Sequence, residues 1–211
     1  MLTLRNLRGM AEIGFATFLT EIAMSVTILI GNYQFMSMLH ENGVAAFAII
    51  CYLFPIIFSV NNAVAQAAQH IISYNYGAGQ KLRVRQTLRL SLLTALTCGI
   101  LVMLTMIVGA EKIVEMFLQP EEKAYELAVE GLHWFSICSV FFALNIAFIG
   151  YYQSVTSAGR AMVFTMLRGI IFSMAAFMLL PSIFGIMGLW LAIPAAELAT
   201  LLIITILHLR K

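Results

Sequence analysis

Two carboxylates, Glu21 and Glu197, stand far inside long apolar runs of a chain that contains no Asp at all. Glu21 lies eight residues in from Ile13, or ~12 Å along a helix. Glu197 lies twelve residues past Gly185, or ~18 Å from the opposite end. A carboxylate kept from water is costly as a bare charge, at about 2.5 kcal/mol or more on insertion scales. A proton, a sodium ion or an organic cation can each neutralise it, so binding one disfavours another. That is the chemistry of cation exchange. The competing reading is a protonated acid that only makes an interhelix hydrogen bond, and for Glu197 both readings stay open.

Polar residues recur near Glu21 at helical spacing. Gly14, Thr17, Glu21, Ser25 and Asn32 fall on one face of a first helix, and Ser59, Asn62, Gln66, Gln69 and Ser73 on one face of a second. If the two helices run antiparallel, Gln66 is expected at nearly the depth of Glu21. The two stripes could then line a cavity, with Glu21, Asn32, Gln66, Gln69 and Glu197 as cation- or substrate-binding residues. Ordinary interhelix hydrogen bonding, at ~0.6 kcal/mol per contact, would give the same pattern. Asn62, Asn145, Gln153 and Arg168 are secondary candidates. Arg168 lies about two turns into its helix and can either snorkel to the surface or pair with a buried acid. His40, His70, His133 and His208 lie near run ends and form no metal-ligand set, so no metal site and no cofactor are expected. Cys51, Cys98 and Cys138 have no CxxC spacing and read as small buried hydrophobes.

The elements that must hold these residues are transmembrane helices. Of 211 residues 62% are hydrophobic and 10% charged, against roughly 25% charged in soluble domains. A bilayer core is crossed by about 20 apolar residues. Six spans follow, at 13–39, 44–73, 88–108, 124–152, 161–183 and 185–207. Turn chemistry separates them at His40-Glu41-Asn42-Gly43, Tyr76-Gly77-Ala78-Gly79, Gln119-Pro120-Glu121-Glu122 and Thr156-Ser157-Ala158-Gly159. The break at Phe184-Gly185 is so short that the last two helices should form a tight hairpin. Pro55 and Pro194 should kink their helices. Residues 1–211 thus read as a single six-helix lobe with no soluble domain.

Alternate loops differ sharply in charge. One side carries Arg5, Arg8, Lys81, Arg83, Arg85, Arg89, Arg160, Arg210 and Lys211; the other carries only Lys112 and Lys123 among seven Glu. By the positive-inside rule both termini are cytoplasmic in a multi-pass protein of the inner (plasma) membrane. The first helix can serve as its own uncleaved insertion signal. A net charge of +2 gives no footprint for nucleic acid.

The segment from Gly43 to Arg85 is the most specific stretch. It holds Ala65-Gln66-Ala67-Ala68-Gln69, then Ile71-Ile72-Ser73-Tyr74-Asn75-Tyr76-Gly77-Ala78, then Arg83-Val84-Arg85. It resembles the multidrug and toxic compound extrusion (MATE) family at the second helix of its C-terminal half. Phe18-Leu19-Thr20-Glu21, Gly150-Tyr151-Tyr152-Gln153, Leu167-Arg168 and Phe184-Gly185-Ile186-Met187-Gly188-Leu189-Trp190 extend the likeness over nearly the whole chain. Three departures are visible. Gly14-Phe15-Ala16 lacks the proline of a Gly-x-Pro. Gln69-His70 stands where Gln-Pro is common. Some sodium-coupled members carry an acid within the fourth helix; past the loop-side Glu126 and Glu130 this chain has none there, which counts against a paired-carboxylate sodium site.

The resemblance implies an all-α integral membrane protein, similar to the C-terminal lobe of a twelve-helix transporter, with the N-terminal lobe absent. It implies efflux of cationic or amphipathic small molecules by antiport, coupled to H+ or Na+, and a lipid bilayer plus either an N-terminal lobe or a homodimer as partners. Alone, such a half-cleft is expected to be inactive. A lipid-linked oligosaccharide flippase is the alternative, but its anionic cargo would call for several mid-membrane cations. A non-transporting membrane fragment is another. An intramembrane enzyme is not expected, because no nucleophile with a base occurs at one depth.

Overall fold

The computed structural model of the chain describes residues 4–209, and of residues 4–17, 19, 20 and 158 the backbone alone. Arg210 and Lys211, and the side chains of Arg5, Arg8 and Thr17, lie outside the described residues, as does the place of Gly14 on a face. All described elements are helical, as lipid demands of a chain that must satisfy its own backbone N–H and C=O groups.

Leu4–Gly77 is one helical stretch broken at His40, whose φ of 53° and ψ of −146° are not helical. The chain doubles back there. Phe35 and Phe47 stack with ring centroids 4.6 Å apart, whereas twelve residues of straight helix would part them by ~18 Å. We therefore treat the stretch as two arms, α1 (residues 4–39) and α2 (41–77). Then follow α3 (Lys81–Val108), the short α4 (Ala110–Glu115), α5 (Lys123–Ser136), α6 (Cys138–Ser154), α7 (Ala158–Met166), a π-helical turn at Leu167–Ile171, α8 (Phe172–Phe184) and α9 (Ile186–Leu209).

Length and apolarity give four helices able to cross a membrane among the described residues, or five when the pair α5 and α6, bent by 42°, is one span. The sixth expected span depends on the His40 reversal, which divides Glu21–Gly77 in two. The measured bend between α5 and α6 falls at Ile137, where no proline stands. Pro55 and Pro194, expected to kink their helices, lie inside α2 and α9 with the helical run unbroken.

Aromatic packing ties the bundle. Trp190 of α9 meets Phe35 of α1 at 4.5 Å, and Phe177 of α8 meets Phe47 of α2 edge-on at 6.4 Å. Such pairs add ~0.5–1.5 kcal/mol beyond burial. Elsewhere small residues let backbones approach. A Cβ on Gly99 of α3 would lie 2.9 Å from the Val140 Cα of α6, and Ser139 donates to the Gly99 carbonyl at 3.0 Å. The α8–α9 hairpin turns on Gly185, whose φ of 58° suits a residue without a side chain.

Candidate functional site

The π turn before α8 meets α6 and α9 in a buried polar corner. Arg168 sits in the π turn, whose hydrogen bonds span one residue more than those of the α-helices around it. The irregular carbonyls of that turn are satisfied by hydroxyls. Ser173 donates to the Arg168 carbonyl at 2.7 Å, and Thr27 of α1 donates to the Gly169 carbonyl at 2.7 Å. Gly169 admits α1 at close range: a Cβ there would come within 2.5 Å of the Ala23 Cβ. The π turn is thus pinned to α1 by one hydrogen bond and one small-residue contact.

Arg168 then meets Glu197. Its Nε lies 3.1 Å from Glu197 Oε1, and its guanidinium carbon lies 4.3 Å above the centre of the Phe142 ring of α6. Asn145, one turn along α6, donates its amide to Glu197 Oε2 at 2.7 Å and to the Glu197 carbonyl at 2.8 Å. Glu197 is 3% exposed, Arg168 8% and Asn145 0%, so the whole cluster is buried. A charge pair taken from water is costly unless its hydrogen bonds are satisfied, and here each oxygen of the carboxylate has its own donor. Beside the pair lies a cavity of about 20 Å³, bordered by Thr27, Phe54, Phe58, Thr165 and Ser173. That is room for about one water, far too little for an organic cargo.

Glu21 is placed differently. It lies on the outer face of α1 with Phe18, Ser25, Leu29, Tyr33 and Met36, all exposed, while Ala23, Thr27, Gly31 and Phe35 form the buried stripe. Glu21 and Asn32 share the outer side, with Asn32 half-buried. Gln66 is exposed on α2 and Asn62 half-buried. The expected common depth of Glu21 and Gln66 does not follow from the hairpin. Gly31 packs on Phe47 across the turn. Extending that register sets Glu21 level with about residue 57, and Gln66 ~13 Å further along α2. Gln69 binds Gln153 instead, at 2.8 Å, beside Gly150. The structure therefore gathers Asn145, Arg168 and Glu197 into one corner, joins Gln69 to Gln153 in a second contact, and leaves Glu21 and Gln66 outside both.

The residues sequence reasoning missed are Thr27, Phe142 and Ser173. Their signal was weak, since a lone Thr or Ser in a span most often bonds its own helix. Of the two readings of Arg168, pairing with a buried acid is the one seen; the guanidinium does not snorkel to the surface.

The MatE family model matches residues 15–178, most of the chain. The chain belongs to the MatE family. The matched region includes Asn145 and Arg168 but stops short of Glu197. Among solved structures this MatE chain is similar to a MOP-superfamily transporter from Pyrococcus furiosus, described as having a binding pocket of reversed polarity. The TM-score is 0.91 at 13% identity, over 100% of this chain and 48% of that one. It is also similar to a multidrug-resistance MATE transporter in an outward-facing conformation (TM-score 0.88, 14% identity, 96% of this chain and 46% of that one). A third similar structure is a mutant of a Vibrio cholerae MATE transporter (TM-score 0.87, 16% identity, 98% and 47%). At these identities the likeness shows the fold alone. The chain spans a little under half the length of these transporters. No curated protein matches it.

Proposed function

We propose that this MatE chain forms one lobe, equivalent to the C-terminal one, of an exporter that exchanges organic cations or other amphipathic small molecules for protons or sodium ions. The observation that carries the reading is the outer face of α1. Glu21 is exposed there among large apolar side chains. A carboxylate at that depth cannot stably face hydrocarbon. A wet cleft shared with a second lobe, in the same polypeptide or another, resolves the cost. The exposed Phe18, Tyr33 and Met36 would supply apolar and aromatic contacts for cargo, and Asn32 and Gln66 polar ones. Alternating access would come from one lobe rocking against the other. The basic loops support a plasma-membrane protein with both termini on the cytoplasmic side.

The flippase alternative fits less well. Its anionic cargo needs free cationic side chains at mid-membrane, and Arg168 is already held by Glu197. The test is ethidium uptake into everted vesicles containing this chain joined to a complementary MatE lobe, with and without Glu21→Gln. Loss of gradient-driven uptake in the variant is the expected result, and undiminished uptake removes Glu21 from the mechanism.

A further inference from the structure

The Glu197 corner offers more oxygen than its ion pair uses. Asn145 spends its amide hydrogens on Glu197, yet its own Oδ1 is buried without a partner. The hydroxyl-bearing Thr27, Thr165 and Ser173 border the adjoining cavity of about 20 Å³. Carboxylate, amide and hydroxyl oxygens are the donor set that hard cations take. One feature separates this corner from a cation site: the Arg168 Nε already stands 3.1 Å from Glu197 Oε1.

We propose that Arg168 is a tethered counter-cation, filling from within the chain the place at Glu197 and Asn145 that a free sodium ion would otherwise take. Three contacts hold it there. Glu197 supplies the charge, the face of Phe142 lies 4.3 Å from the guanidinium carbon, and the π turn is fixed by Ser173 and Thr27. A tethered ligand acts at a high effective concentration, so dissolved sodium competes poorly with it. Arg168 is therefore an ion-specificity residue. While it is present the buried carboxylate takes no exchangeable cation; with its charge removed, the same oxygens open to sodium. The assignment concerns binding and is independent of which cargo the exporter carries.

The test uses the whole purified chain in lipid nanodiscs, carrying Glu21→Gln throughout to silence the exposed carboxylate. Melting temperature and retention of radiolabelled sodium are compared in sodium chloride and in choline chloride of equal ionic strength. The parent and Arg168→Lys are expected to melt alike in both salts and to retain no sodium. Arg168→Gln is expected to gain a sodium-dependent rise in melting temperature and to retain the label. The double variant Arg168→Gln, Glu197→Gln is expected to lose both. A folded Arg168→Gln indifferent to sodium overturns the proposal. So does sodium retention by the parent that the double variant abolishes. Should Arg168→Gln fold poorly in choline, its refolding yield becomes the readout: a yield restored by sodium supports the assignment, and an equal yield in both salts overturns it.

Discussion

At the Glu197 corner the π turn and α6 close on a carboxylate, and each brings it a donor. On the outer face of α1, Glu21 stands among Phe18, Leu29 and Tyr33, and its side chain makes no hydrogen bond or ion pair with the described residues. Both groups are glutamates far inside apolar runs. What differs is who neutralises them. Glu197 is neutralised by the chain itself, which makes it part of the architecture. Glu21 has no such counter-charge among the described residues, which is what the proposed exchanging site requires. A buried charge is therefore weak evidence of function until its partners are known, and the exposed one is the better candidate for handling a mobile cation.

The largest expected effect comes from halving the corner. Glu197→Ala strands a buried guanidinium, and breaking such a pair costs about 3–5 kcal/mol. Melting of the chain in nanodiscs should show a large loss. Replacing both partners, Arg168→Met with Glu197→Leu, should recover most of it, because a packed apolar pair is often as stable as a buried ionic one. A double variant as unstable as the single one would show that the corner does more than balance charge. Glu21→Gln sharpens the contrast from the other side. It breaks no packed contact among the described residues and removes a carboxylate that the lone chain leaves facing lipid, so melting should not fall.

The hydrophobic pattern made the bundle legible, because in lipid only helices keep the backbone satisfied. The two glutamates were legible for the same reason: charge is conspicuous against so apolar a background. Their fates were not. Whether Arg168 reaches Glu197 depends on the azimuth of two helices in a hairpin, and the π turn that sets it leaves no mark at Leu167–Ile171 that a period of 3.6 would expose. The depth of Gln66 was misjudged because the reversal at His40 is tight, so the register counts from Gly31 and Phe47 and not from the ends of the runs.

The joint between the two regions gives a mid-sized test. Gly169→Ala would push a methyl against Ala23 and force the π turn away from α1, an overpacking cost of roughly 1–3 kcal/mol. If Arg168 and Glu197 travel with the turn, melting falls while the ion pair survives. The His40 reversal is independent of that joint. Its φ of 53° with ψ of −146° is a backbone region that only glycine occupies without strain. His40→Gly should therefore stabilise the chain by about 1 kcal/mol, seen as a higher melting temperature with the Arg168–Glu197 corner untouched.

A smaller effect asks whether the two regions communicate. Thr27 is the side chain that reaches from α1 to the π turn, donating to Gly169 six residues along the helix from Glu21. Thr27→Val keeps the shape and removes the hydrogen bond, worth ~0.6 kcal/mol on average between membrane helices. In a double-mutant cycle with Glu21→Gln, stability changes should add to within about 0.5 kcal/mol, because among the described residues Glu21 has no partner that Thr27 shares. Transport, if the chain is half of the proposed exporter, is the more telling arm. If α1 moves as a rigid rod pinned to the corner, Thr27→Val should slow gradient-driven uptake more than its small stability change can explain. Uptake that falls only in step with folded protein would mean that the outer face works without the corner, and that the ion pair is scaffold alone.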